Sequence, residues 1–173
     1  MGGIHPSALY SKEMIINALL SYMRYRDFSD IKITEITRKA GVARKTFYRH
    51  FSSKKDIIEM HLDSIFHEYL KKAEKGNNYE EVIHIFFELM IKHIDFFELL
   101  YTHDLSNMVL KKLEYYLSLL NKKPKYRKME KPLVAYCETY SAGGLWKILT
   151  KWIKNGLKES VTEITKIYLE LTK

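Results

Sequence analysis

An all-α fold is what this sequence predicts, and three observations predict it. Helix breakers are scarce, with 7 Gly and 3 Pro in 173 residues. Apolar residues recur at i, i+3, i+4 and i+7 along most of the chain, the spacing that gives a helix one buried stripe. Helix-start signals stand ahead of several of these stripes, and Ser160-Val161-Thr162-Glu163 is the clearest. There a hydroxyl at the cap and a carboxylate three residues on satisfy two otherwise orphaned backbone N–H groups. At 46% hydrophobic, the chain can bury a sizeable core in one or two closely packed helical units.

Taken in order, Ser11 can cap a first helix over 11–24, with Ile15, Leu19 and Tyr22 at helical spacing. Ile33, Ile36 and Ala40 mark one face of a short helix, which Gly41-Val42-Ala43 breaks with a tight turn. A second short helix follows at once, and Phe47 and Phe51, four apart, share its buried face. Ser53-Lys54-Lys55-Asp56, a capping-box variant, opens a long helix through Ile57, Met60, Ile65 and Tyr69, and Gly76-Asn77-Asn78 ends it. The expected organisation is therefore a three-helix domain over 1–55, a linking helix over 53–75 and a second helical domain over 76–173. In the latter, Val82, Phe86, Leu89, His93 and Phe97 make one face. Met108, Leu113, Tyr116 and Leu120 make a later one, with Asp104 as its cap. The run KKPKYRKMEKP at 122–132 reads as a solvated basic loop. A long helix over 133–155 is stopped by Gly156, and the last helix carries Val161, Ile164, Tyr168 and Leu171 at a/d-like spacing.

The stretch 33–51 carries the chemistry. With Phe47 and Phe51 turned inward, Arg44, Lys45, Thr46, Tyr48, Arg49 and His50 point outward. Two short helices joined by a Gly turn, the second bristling with long donors, is what a helix-turn-helix needs to place side chains in a major groove. Charge agrees: between 32 and 55 the basic residues are Lys32, Arg38, Lys39, Arg44, Lys45, Arg49, Lys54 and Lys55, against the single acid Glu35. A merely solvated helix face mixes signs through i,i+4 pairs, and this one does not. The partner these features imply is double-stranded DNA.

The run ITEITRKAGVARKTFYRHFSSKKDII resembles the N-terminal domain of the tetracycline-repressor (TetR) family. That pattern runs from an Ile-Ala-type helix through Ala-Gly-Val to Thr-Phe-Tyr-x-His-Phe and Ser-Lys. The match covers about the first third of the chain; the remainder is similar in length, helicity and a Trp-x-x-x-Gly element, Trp152 to Gly156. The resemblance implies that Thr46, Tyr48, His50 and Lys54 touch phosphates and that Arg44 and Lys45 lie at or near base edges. It also implies an effector pocket among the aromatics of the C-terminal half, where Met90, His93, Phe97, Tyr101, Tyr140 and Trp146 combine apolar bodies with polar tips. Two residues depart from the family. Where Thr or Ser usually caps the motif's first helix and Ser or Asn its second, this chain has Lys32 and Ala43. Each lost cap costs on the order of 1 kcal/mol, although Lys32 can still meet a phosphate as a point charge.

The penultimate helix is apolar on more than one side, and a helix with two apolar faces needs two partners. One is the chain's own core; the other is most economically a second copy, giving a four-helix seam from two pairs of C-terminal helices. The seam residues expected are Cys137, Ser141, Gly144, Leu145, Ile148 and Trp152 from that helix, and Val161, Ile164, Tyr168 and Leu171 from the last.

Other classes fit poorly. There is no P-loop, dinucleotide glycine fingerprint, HExxH or nucleophile elbow. The histidines do not converge as a metal site requires, so neither an enzyme nor a metal or other cofactor is expected. The longest apolar stretches, such as 83–90, are interrupted by His84 and Glu88 and are too short to span a bilayer. The first eleven residues lack the apolar core of a signal peptide, and Cys137 stands alone, which together suit a reducing cytoplasm. The expected function is a homodimeric transcriptional regulator, a repressor released from a near-palindromic operator by a small apolar or amphipathic effector. The alternative is a DNA-binding protein without such an effector, whose C-terminal half docks a protein partner.

Overall fold

The computed structural model describes residues 6–121 and 132–172, and among these every regular element is helical. In order they are α1 (Pro6–Met23), a single 3-10 turn (Phe28–Asp30), α2 (Ile33–Lys39), α3 (Arg44–His50), α4 (Lys54–Ala73), α5 (Tyr79–Lys92), α6 (Ile94–Thr102), α7 (Ser106–Asn121), α8 (Leu133–Lys154) and α9 (Val161–Leu171). No described helix is long and apolar enough to cross a membrane. The basic run 122–132 lies outside the described residues except for its last proline.

The chain divides into two compact units at Leu62 and Asp63, inside α4. The first is built on the apolar stripes of α1, of the short helices α2 and α3, and of the start of α4. Ile15, Leu19, Ile36, Phe47, Ile57, Ile58 and Leu62 are all fully buried, and the Phe47 and Phe51 ring centroids lie 5.7 Å apart. The start of α4 is capped as its residues dictate. The Ser53 hydroxyl donates to Asp56 at 2.6 Å, and the Asp56 carboxylate accepts from the Ser52 N–H at 2.8 Å. These hydrogen bonds to the ionised form hold Asp56 below the usual carboxylate range. At the other end of the unit, α1 begins at Pro6 and not at Ser11, which lies inside it. Proline is tolerated in a first helical turn because its missing N–H has no partner there anyway.

The second unit packs α5 to α9 and the rest of α4 around an aromatic core. The Phe87 ring meets Trp152 at 6.0 Å and Tyr168 at 6.2 Å, and Phe97 meets Trp146 at 6.2 Å. Asn78 caps α5 by accepting from the Glu81 N–H at 2.9 Å, and Ser160 caps α9 by accepting from the Glu163 N–H at 3.2 Å. The expected helix over the Val82 to Phe97 face is divided at His93, whose φ of −114° and ψ of 26° leave the α region. Asp104 does not cap α7: with φ 56° it forms the left-handed turn that closes α6, and α7 starts at Ser106. A polar tie seats α7 on α4. The Asp63 carboxylate takes the Lys112 ammonium at 2.8 Å and the Tyr116 hydroxyl at 3.3 Å, and that hydroxyl lies 2.5 Å from His67 Nδ1. Burial and the Asp63 charge push the Tyr116 phenol well above its ordinary value, so it stays protonated as a donor.

Candidate nucleic-acid interface

The turn between α2 and α3 is a complete Schellman motif. Gly41 sits at φ 66°, its N–H bonds the Arg38 carbonyl at 3.2 Å, and the Val42 N–H bonds the Thr37 carbonyl at 3.0 Å. A Cβ at Gly41 would meet nothing within 4 Å, so only the backbone conformation demands glycine. Gly41→Ala therefore costs about 1 kcal/mol through the left-handed backbone alone. A denaturant titration checks this, and a loss well below that size would show the turn relaxing at no cost.

Neither helix start has a side-chain cap from the position before it, because Lys32 has no acceptor and Ala43 no polar atom. In α2 the defect is repaired from inside: the Glu35 carboxylate accepts from the Lys32 N–H at 2.9 Å while holding Arg26 at 2.7 Å. These hydrogen bonds hold Glu35 below the usual carboxylate range. The Arg26 pair was not legible from spacing, since the two residues are nine apart and Arg26 lies in the bend after α1.

On α3, Phe47 is fully buried and fixes the roll of the helix. Arg44, Lys45, Tyr48 and Arg49 are exposed, Thr46 and His50 are half-buried, and Lys32 stands exposed at the head of α2. The Arg44 guanidinium lies 6.0 Å from the centre of the Tyr48 ring, at the outer edge of cation–π range. His50 is less available: its Nε2 atom is buried without a hydrogen-bond partner, so a phosphate contact has to use the other ring nitrogen or a turned ring. Burial, followed by the charges of Arg49 and Lys12, holds its pKa below the ordinary value. A depressed histidine contributes stability that is present above the unfolded-state value of about 6.5 and is lost as pH falls from there through the lower folded-state value. Thermal melting from neutral to mildly acidic pH should accordingly show a loss of stability that His50→Gln reduces; identical pH profiles would sink the assignment.

Lys54 departs from the phosphate-facing position implied for it. Its ammonium donates to the carbonyls of Ser29 at 2.7 Å and Ile31 at 2.9 Å and to that of Phe28, and it sits 4.7 Å from the centre of the Phe28 ring. Burial lowers its pKa.

In the second unit the expected effector residues separate. Met90, Phe97 and Trp146 are buried, the last two in ring contact at 6.2 Å, and His93 is half-buried at the α5–α6 joint, where burial lowers its pKa. Tyr101 is half-buried under the Lys154 ammonium, 4.6 Å from its ring centre. Tyr140 does not join them, being 64% exposed.

The expected seam needs a larger correction. Leu145, Trp152, Ile164 and Tyr168 are spent on the chain's own core. Trp152 also donates its indole N–H to the Glu159 carbonyl at 3.0 Å, and a Cβ on Gly144 would lie 3.6 Å from the Tyr168 ring. Of the a/d-like stripe, Ile164 and Tyr168 are what α9 turns toward its own subunit. Cys137, Ser141, Ile148 and Val161 are half-buried, and Leu171 is exposed. What remains open is an outer face, Leu133, Tyr136 and Tyr140 at i, i+3 and i+7 on α8 with Ile167 and Leu171 on α9, and of these the expected seam included Leu171.

Residues 15–60, which span most of this first unit, match the family model of the bacterial regulatory proteins of the tetR family. This segment is similar to the N-terminal domain of the TetR family. Its sequence is 33% identical over 78 residues to the HTH-type transcriptional regulator YdgC of Bacillus subtilis, an alignment covering 42% of this chain and 40% of that protein. Two solved structures share the fold along nearly the whole chain. Lin0861 from Listeria innocua superposes with a TM-score of 0.84 at 13% identity, over 99% of this chain and 94% of that one. FadR from Bacillus subtilis, solved with stearoyl-CoA, superposes with a TM-score of 0.60 at 18% identity, over 92% of this chain and 96% of that one.

Proposed function

We propose that this chain acts as a homodimeric transcriptional regulator of the TetR type, a repressor that reads a near-palindromic operator through two copies of α3 and leaves it when an effector binds. One observation carries the reading: Arg44, Lys45, Tyr48 and Arg49 project from a helix whose other side is locked by buried Phe47, directly after a glycine-closed turn. Arg44 and Lys45, at the start of α3, are the base readers, because a recognition helix meets base edges with its N-terminal residues. Thr46, Tyr48 and Arg49 hold the backbone. Selection from a random duplex library, followed by footprinting, tests this. The expected product is two inverted half-sites about one helical turn apart, and binding with no sequence preference at any salt concentration would overturn it.

The second copy is assigned to the outer face of α8 and α9, where five large apolar side chains stand exposed. For the effector, support comes from the aromatic core and from the stearoyl-CoA that FadR holds on the same fold. A ligand releases DNA only if it binds the DNA-incompetent arrangement more tightly than the competent one. The close packing of Phe97 against Phe66, Phe96 and Trp146 favours the second reading, a protein partner in place of a small molecule. A thermal-shift screen with acyl-CoA esters and amphipathic metabolites separates the two. An effector raises the melting temperature and weakens operator binding together, since the two affinities are reciprocally linked.

A further inference from the structure

Between α1 and α2 the backbone carbonyls of Phe28, Ser29, Asp30 and Ile31 follow one another, and each accepts from a cation. Lys54 takes the first, second and fourth, and the Arg26 guanidinium takes the third at 2.9 Å. An ammonium has three protons, and here three carbonyls use them, with the Phe28 ring 4.7 Å away from the charge. A phosphate could reach this nitrogen only by displacing one of those bonds.

The bonds join the first turn of α4 to the segment that delivers the chain into α2. That junction is where an anchor is needed, since Lys32 supplies no side-chain cap and the start of α2 is capped from within, by Glu35 reaching back to the Lys32 N–H. The recognition helix α3 is strung between α2 and α4, so a tie between the starts of those two helices sets its attitude. We propose that Lys54 is a positioning residue for DNA recognition, a cation stored inside the head to hold α3 in place, and not a contact to the phosphate backbone. This rests on the DNA-binding reading.

Lysine and arginine separate the two roles. Arginine keeps the charge and would keep a phosphate contact, but its planar fork does not fit three carbonyls gathered round one point. Lys54→Met keeps the stem and removes the charge. Melting, and binding to the selected operator and to random duplex across a salt series, are measured for both variants. A 15N-detected spectrum of the lysine ammonium groups is recorded for the parent, free and with operator.

Both variants should lower the melting temperature by roughly 5 to 10 °C. Both should weaken the operator at least about tenfold more than random duplex, because a misplaced α3 loses base contacts first. The slope of log affinity against log salt should stay as in the parent. The Lys54 ammonium signal should be visible in the free protein and unmoved by operator. The proposal is overturned if Lys54→Arg binds like the parent while Lys54→Met reduces the salt slope by about one. An ammonium signal that exchanges as fast as those of surface lysines also overturns it. If the parent binds no duplex, the DNA reading itself fails, and the ammonium signal and the melting of the variants still decide the cage.

Discussion

Phe47→Ala abolishes operator binding by unfolding the head, not by removing a contact to DNA. The ring is fully buried, meets Phe51 at 5.7 Å and Tyr48 at 5.3 Å, and is the only fully buried side chain of α3. Cutting a core phenylalanine to alanine costs about 3 to 5 kcal/mol. Small domains hold only about 5 kcal/mol in total, so a loss of that size leaves α3 without a fixed roll. Circular dichroism should show reduced helicity at 25 °C, and anisotropy should show loss of specific and random duplex binding alike. A variant that melts like the parent would mean that the ring contributes little to the head's core.

Replacing Ile167 and Leu171 together by glutamate gives a folded monomer with weak operator binding. In the subunit both side chains are largely exposed, at 42% and 64%, so charges there cost the single chain little. In a twofold interface each would be buried twice and unpaired, at several kcal/mol per dimer. A monomer engages one half-site at a time and loses the avidity of the pair, which is worth about two orders of magnitude or more. Light scattering reads the mass, melting reads the fold, and a persistent dimer would place the interface elsewhere. The same experiment on Ile164 has a different meaning, because Ile164 is 5% exposed within one subunit and a charge there attacks the core.

What the sequence by itself determined is the all-helical class, the helix-turn-helix and most element ends, because those rest on interactions between residues close along the chain. Gly41 and Gly156 take left-handed backbone that few other residues adopt, and Ser53 and Ser160 cap helices three residues away. Phe47 and Phe51 face inward through helical spacing alone. The tertiary structure decided what depends on distant partners. No Gly or Pro marks the division at His93, so packing alone sets it. An apolar stripe says that a face is buried but not against what, which is why Tyr168 and Ile164 faced their own subunit while the solvent kept Tyr136, Tyr140 and Ile167. A lysine beside a helix start is chemically fit for a phosphate or for carbonyls, and only the approach of Phe28, Ser29 and Ile31, more than twenty residues earlier, gave Lys54 to the carbonyls.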